Sequence, residues 1–146
     1  MLAINGGSVF IKLNNLFMSE STTNPNNSNN QELIVEDIIV GTGAEVKSGQ
    51  DILIDYEGKL ENGSVFDSSE SRNQPLDITI GVGQVIKGWD MGITGEGLEN
   101  VKGLQVGGER KLTIPANLAY GAREIPGLIP ANSTLIFIVK LVEILS

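Results

Sequence analysis

Ile52-Leu53-Ile54-Asp55-Tyr56-Glu57-Gly58-Lys59-Leu60 places Ile52, Ile54 and Tyr56 in alternation with Leu53, Asp55 and Glu57. Successive side chains of a strand point to opposite faces, so this is the pattern of a strand with one face buried. Asn62-Gly63 follows, and both residue types accept the positive φ angles of a type I′ turn. The chain is therefore expected to return through the segment around Phe66 as a hairpin.

The same period recurs outward from this stretch. Leu76, Ile78 and Ile80 alternate with Asp77 and Thr79, and Leu112 and Ile114 share a face before Pro115, which cannot donate in a ladder and should end its strand. Leu135, Phe137, Val139 and Leu141 share one face of a long apolar segment that reads as a central strand. Only Val85 to Ile93 has helical spacing, with Ile86, Trp89 and Ile93 at i, i+3 and i+7 and with Gly92 and Gly95 expected to end it. The expected architecture is α+β, a twisted antiparallel sheet of about five strands around one short helix.

The chain has 146 residues, the length of one ordinary domain. Residues 32–146 carry the periodic segments. Residues 1–31 form an Asn-rich leader, expected to be flexible because Thr22 to Gln31 has little to bury against its ordering entropy. Asn5, Gly6, Gly7 and Lys12 break the apolar run that a signal peptide or spanning helix would need, and Met18 opens a polar stretch that reads as the true start. A cytoplasmic protein without membrane attachment is expected.

Net charge is −8, which repels a nucleic-acid backbone or an anionic membrane surface. The chain contains neither cysteine nor histidine, so it offers no thiolate nucleophile, no imidazole general base and no disulfide or Cys-ligated zinc. Every triad that depends on an imidazole is removed at once. Gly81-Val82-Gly83-Gln84-Val85-Ile86 starts like a dinucleotide fingerprint but ends in Ile, and Asp90 to Val101 fits a calcium loop poorly because Val101 stands where a bidentate Glu belongs. No metal and no cofactor is expected. Asp55 and Glu57 share a strand face and read as a solvated surface rather than a catalytic pair.

Five segments remain: Tyr56-Glu57-Gly58, Val65-Phe66-Asp67-Ser68-Ser69, Gln84-Val85-Ile86-Lys87-Gly88-Trp89, Leu118-Ala119-Tyr120-Gly121 and Ile129-Pro130-Ala131-Asn132-Ser133-Thr134-Leu135-Ile136-Phe137. In this order and spacing the chain closely resembles the FKBP-type peptidyl-prolyl cis/trans isomerases, from about Leu33 to Leu145. The resemblance implies a half-open sheet wrapped around the helix, with the pocket between them. Carried over by position, it implies catalytic or pocket roles for Tyr56, Phe66, Asp67, Val85, Ile86, Trp89, Tyr120, Ile129 and Phe137, with Trp89 as the floor. Arg72, Leu76, Gln84, Ile125 and Leu128 would form the rim. By spacing alone, Trp89 and Phe137 read as core residues.

Leu76 stands where well-known members carry an aromatic, Ile125 where they often carry His, and Gln84 where Glu is common. The rim should be more aliphatic, and macrolide affinity altered. The stretch around Thr94 to Val101 is longer than in minimal members and reads as an acidic, Gly-rich solvent loop. The resemblance implies rotation about X-Pro bonds in peptides and partly folded proteins by a non-covalent mechanism, inhibition by macrolides such as rapamycin, and action as a monomer. The competing expectation is a binding module that holds proline-containing partners or macrolides with little turnover.

Overall fold

A computed structural model describes residues 32–146. The leader and the reading of Met18 as the start lie outside the described residues. Six strands and one helix follow in order: β1 Ile34–Ile39, β2 Asp51–Leu60, β3 Val65–Ser68, β4 Leu76–Thr79, α1 Lys87–Thr94, β5 Glu109–Ile114 and β6 Leu135–Ile144. All pairings are antiparallel, in the order β1-β5-β6-β2-β3, with β4 also on β2. The long apolar strand β6 is central, between β5 and β2, and β5 stops at Ile114 before Pro115.

The strand beyond the expected five is β1. Ile34-Val35-Glu36-Asp37-Ile38-Ile39 lacks clean alternation, because the register against β5 shifts between Asp37 and Ile39. A bulge on an edge strand breaks the period of two that sequence reading depends on.

Strand β2 is shared along its outer side. Its first half, Asp51 to Ile54, pairs with β4, and Glu57 to Lys59 pair with β3. Ser69 fills the gap: its N–H donates to the Tyr56 carbonyl at 2.9 Å, and its Oγ accepts from the Tyr56 N–H at 3.0 Å. The buried ladder therefore stays satisfied where the partner strand changes.

The turn at Asn62-Gly63 differs from the expected type I′. Gly63 alone takes positive φ, at 93°, while Asn62 does not, and the Gly63 N–H donates to the Leu60 carbonyl at 2.9 Å. This is a three-residue loop closed by a glycine in the left-handed region, and the Asn62 Oδ1 accepts from the Ser64 N–H at 2.9 Å.

The helix starts two residues later than its spacing suggests and ends at Gly95, as expected. Val85 and Ile86 precede it, Ile86 being its extended N-cap with ψ 150°, and Gly92 lies inside it. Gly95, at φ 82°, closes it through an N–H to the Met91 carbonyl at 2.7 Å. Gly92 and Gly88 are there for proximity. A Cβ on Gly88 would lie 2.4 Å from Ile114 Cγ2, and one on Gly92 2.7 Å from Leu112 Cδ2. Two glycines cost helix propensity of about 1 kcal/mol each, and here they let α1 lie directly against β5.

The core lies between the concave sheet face and α1. Ile52, Ile54, Leu112, Ile114, Leu135, Val139 and Leu141 are fully buried there. Each such side chain stabilises the fold by about 1.5–3 kcal/mol. Among the described residues, no helix is long and apolar enough to cross a membrane.

Candidate functional site

Four aromatic side chains meet at one end of this core. Tyr56 and Phe137 point inward from β2 and β6, Trp89 comes from the first turn of α1, and Phe66 from β3. Trp89 contacts both Tyr56 and Phe137 edge to face, at 5.2 Å between ring centres in each case. Phe66 meets Phe137 at 90° and 5.5 Å. Such edge-to-face geometry matches the positive rim of one ring to the negative face of the next.

Local backbone features aim these rings. Gly58 pairs with Asp67 and Lys59 with Val65, which leaves Phe66 as the extra residue of a bulge. Gly58 also clears the space in which the rings meet, since a Cβ there would lie 2.7 Å from both Phe66 Cζ and Phe137 Cε1. Trp89 is 4% exposed, and its Nε1 has no hydrogen-bond partner among the described residues.

A polar triad flanks the rings. The Tyr56 hydroxyl donates to Asp67 Oδ2 at 2.6 Å, and Arg72 Nη2 donates to Oδ1 and Oδ2 of Asp67 at 3.1 and 3.0 Å. The Ser68 N–H also donates to Asp67 Oδ1, at 2.9 Å. The Arg72 guanidinium lies 5.7 Å from the centre of the Tyr56 ring. Burial, with the Asp67 hydrogen bond and charge adding to it and Arg72 opposing, pushes the Tyr56 hydroxyl up to about 12. Tyr56 therefore stays a donor across the physiological range.

The loop before α1 is braced on both sides. Asp90 accepts from the N–H groups of Gly81 and Gly83 at 2.7 and 2.9 Å, and Gln84 Oε1 accepts from the Thr79 N–H at 3.1 Å. The Asp90 carboxylate that opened the weak calcium pattern is thus used within the fold. The braced loop ends at Ile86, whose N–H donates to no described residue, while its carbonyl accepts from Trp89 and Asp90.

The remaining predicted residues fall into two groups. Leu76, Val85, Ile86 and Ile125 are partly buried against the core, and Ile129 is 4% exposed within it. Ile125 and Ile129 bond to each other through both backbone groups, at 2.8 and 2.9 Å, around Pro126-Gly127 with Gly127 at φ 79°. Tyr120, at 36% exposure, makes no ring contact with the other described aromatics, and Leu128 projects outward at 52%. A bond from the Asn132 N–H to the Gly121 carbonyl, at 2.8 Å, ties the Tyr120 segment to the Ile129 segment.

Sequence reasoning gave no separate role to Ser69, Asp90 or Gly58. Each acts by placing a neighbour, and their only sequence signal is that Ser69 and Gly58 sit inside motifs quoted for other residues. Asp55 and Glu57 face the opposite side of the sheet, along a groove of about 480 Å³ with Glu70, Glu109 and Lys140. Lys140 stands in register with both Asp55 and Glu109, and Glu57 pairs with Lys59 at 3.5 Å, as on an ordinary charged strand face.

Comparison with known proteins agrees with this geometry. The model of the FKBP-type peptidyl-prolyl cis-trans isomerase family matches residues 43–142. The FK506-binding protein of Neisseria meningitidis serogroup A is 52% identical over 112 residues, which cover 77% of this chain and 95% of that protein. FK506-binding protein 4 of Gibberella zeae is 53% identical over 114 residues, covering 78% of this chain but 21% of that protein. The crystal structure of AtFKBP13 matches with a TM-score of 0.73 at 46% identity, covering 77% of this chain and 93% of that one. An antiparallel sheet closed over one helix, aromatics at its end and identity at this level lead to one conclusion: the chain belongs to the FKBP-type peptidyl-prolyl cis-trans isomerase family.

Proposed function

We propose that the ring of Tyr56, Phe66, Trp89 and Phe137 is where the isomerase accelerates rotation about X-Pro bonds of peptides and partly folded proteins. The observation that carries this reading is the edge-to-face contact of Trp89 with Tyr56 and Phe137, on a helix whose N-cap, Ile86, has an N–H that donates to no described residue. Rotation must break amide resonance, a barrier of roughly 18–20 kcal/mol, and no covalent bond is made or lost. The planar amide is strongly dipolar and the twisted one less so. A dry aromatic wall therefore disfavours the ground state more than the transition state.

In this reading the Ile86 N–H holds one substrate carbonyl and the Tyr120 hydroxyl another, while Asp67 acts by orienting Tyr56 and Arg72. Val85 and Ile129 complete the wall. Leu76, Gln84, Ile125 and Leu128 form the rim that selects the residue before proline and sets macrolide affinity. The domain spans residues 32–146 and works as a cytoplasmic monomer assisting folding, where X-Pro isomerisation can limit the rate. A protease-coupled assay of Asp67→Ala and Tyr120→Phe tests the roles: each should lower turnover, and unchanged rates in both reject the assignment.

A further inference from the structure

Arg110 is 3% exposed, a buried cation that the isomerase reading leaves without a task. Its Nε donates to Asp37 Oδ1 at 2.6 Å, and its Nη1 donates to the Gly92 carbonyl at 2.9 Å. Arg110, Leu112 and Ile114 alternate on the inward face of β5, and all three meet α1. Leu112 and Ile114 fill the space above Gly92 and Gly88, which fixes how close the helix lies. Apolar contacts of that kind set the distance and shape of the helix–strand contact. A charge-assisted hydrogen bond adds direction.

The Gly92 carbonyl is among the last four of the helix, which lack intrahelical donors. The residue four positions on, Glu96, gives its N–H to Thr94 Oγ1 instead, at 3.1 Å. The Ile93 carbonyl is bonded by the Leu104 N–H at 2.9 Å. Arg110 is thus the side-chain donor from β5 to α1, and it acts together with the Leu104 N–H on the Ile93 carbonyl and the Asp90 bonds to Gly81 and Gly83 to fix the helix along its axis. Asp37, on β1 at the register shift, offsets the cost of burying the guanidinium. Trp89 rides on the same helix between Gly88 and Gly92, so an axial slip of α1 moves the indole against Tyr56 and Phe137.

We infer that Arg110 is a positioning residue for catalysis: bonded to the Gly92 carbonyl and held by Asp37, it helps to set the axial position of α1 and thereby the depth of Trp89. This rests on the Trp89 pocket being the isomerase site. A misplacement of about 1 Å can cost on the order of 100-fold in rate.

The test measures kcat and KM separately on an X-Pro peptide, together with Trp89 emission, for Arg110→Met, Arg110→Lys and Ile52→Val, a core control distant from the aromatic ring. With folding verified by circular dichroism, Arg110→Met should lower kcat/KM by about tenfold and shift the Trp89 emission maximum. Arg110→Lys, which can reach one of the two acceptors, should fall between it and the wild type, and Ile52→Val should lose stability alone. If Arg110→Met is destabilised but keeps kcat/KM within about twofold and an unchanged emission maximum, Arg110 is a core ion pair only and the inference is overturned. Should Arg110→Met not fold, Asp37→Asn is judged by the same two readouts. Failure of the pocket reading looks different: wild-type Trp89 emission would then ignore the peptide.

Discussion

The Tyr56 hydroxyl donates to Asp67 Oδ2 at 2.6 Å, and this bond joins the apolar ring to the exposed Arg72. Through it, the inward face of β2 and the bulged strand β3 hold one another in place. Asp67→Ala leaves the Tyr56 hydroxyl without its acceptor and releases Arg72, for an expected loss of about 1–3 kcal/mol. Tyr56→Phe removes the donor but leaves Asp67 its bonds to Arg72 and Ser68, so it should cost less. Urea midpoints of the two variants give the order, and the reverse order would show that the bond is incidental.

The raised pKa of Tyr56 fixes a pH window. Its folded value, about 12, exceeds the ordinary tyrosine value of 10.0, so the stability it contributes is fully present below pH 10 and is lost as pH rises toward 12. In Tyr120→Phe, Tyr56 is the remaining tyrosine, and ultraviolet titration of the phenolate should give a midpoint near 12. A midpoint near 10 would contradict the burial and the Asp67 contact.

Gly58 is required by the rings rather than by its backbone. Gly58→Ala places a methyl group 2.7 Å from Phe66 and Phe137, and the rings must part. The expected cost is about 1–3 kcal/mol together with altered aromatic proton shifts for Phe66 and Phe137. Wild-type shifts in a stable Gly58→Ala protein would mean that the rings do not meet over this residue.

Ser69 carries the ladder across the break between β4 and β3. Ser69→Ala leaves the buried Tyr56 N–H without its acceptor, an expected destabilisation of about 1–3 kcal/mol. Amide hydrogen exchange at Tyr56 should quicken in that variant, and unchanged protection would show that another group fills the gap.

The sheet and helix were legible because their residues serve one face each. Leu135, Phe137, Val139 and Leu141 are buried as their spacing requires, and Ile54 and Tyr56 line the same core. What escaped were residues whose role depends on a distant partner. Arg110 meets a carbonyl 18 positions away, and Ser69 reaches back 13 positions to Tyr56. No local period reports such contacts. Phe66, Asp67 and Trp89 would have read as core or surface without the resemblance that linked them, since the meeting of rings from helix and sheet is visible only once both are placed.

Magnetisation exchange on an X-Pro peptide tests the central claim most directly. Uncatalysed, the two isomers interconvert over tens to hundreds of seconds. Substoichiometric protein should bring exchange into the measurable range, and rapamycin should return it to the uncatalysed rate. Exchange that stays at the uncatalysed rate, in a sample whose Trp89 fluorescence still responds to the peptide, would mean that the pocket binds proline without turning it.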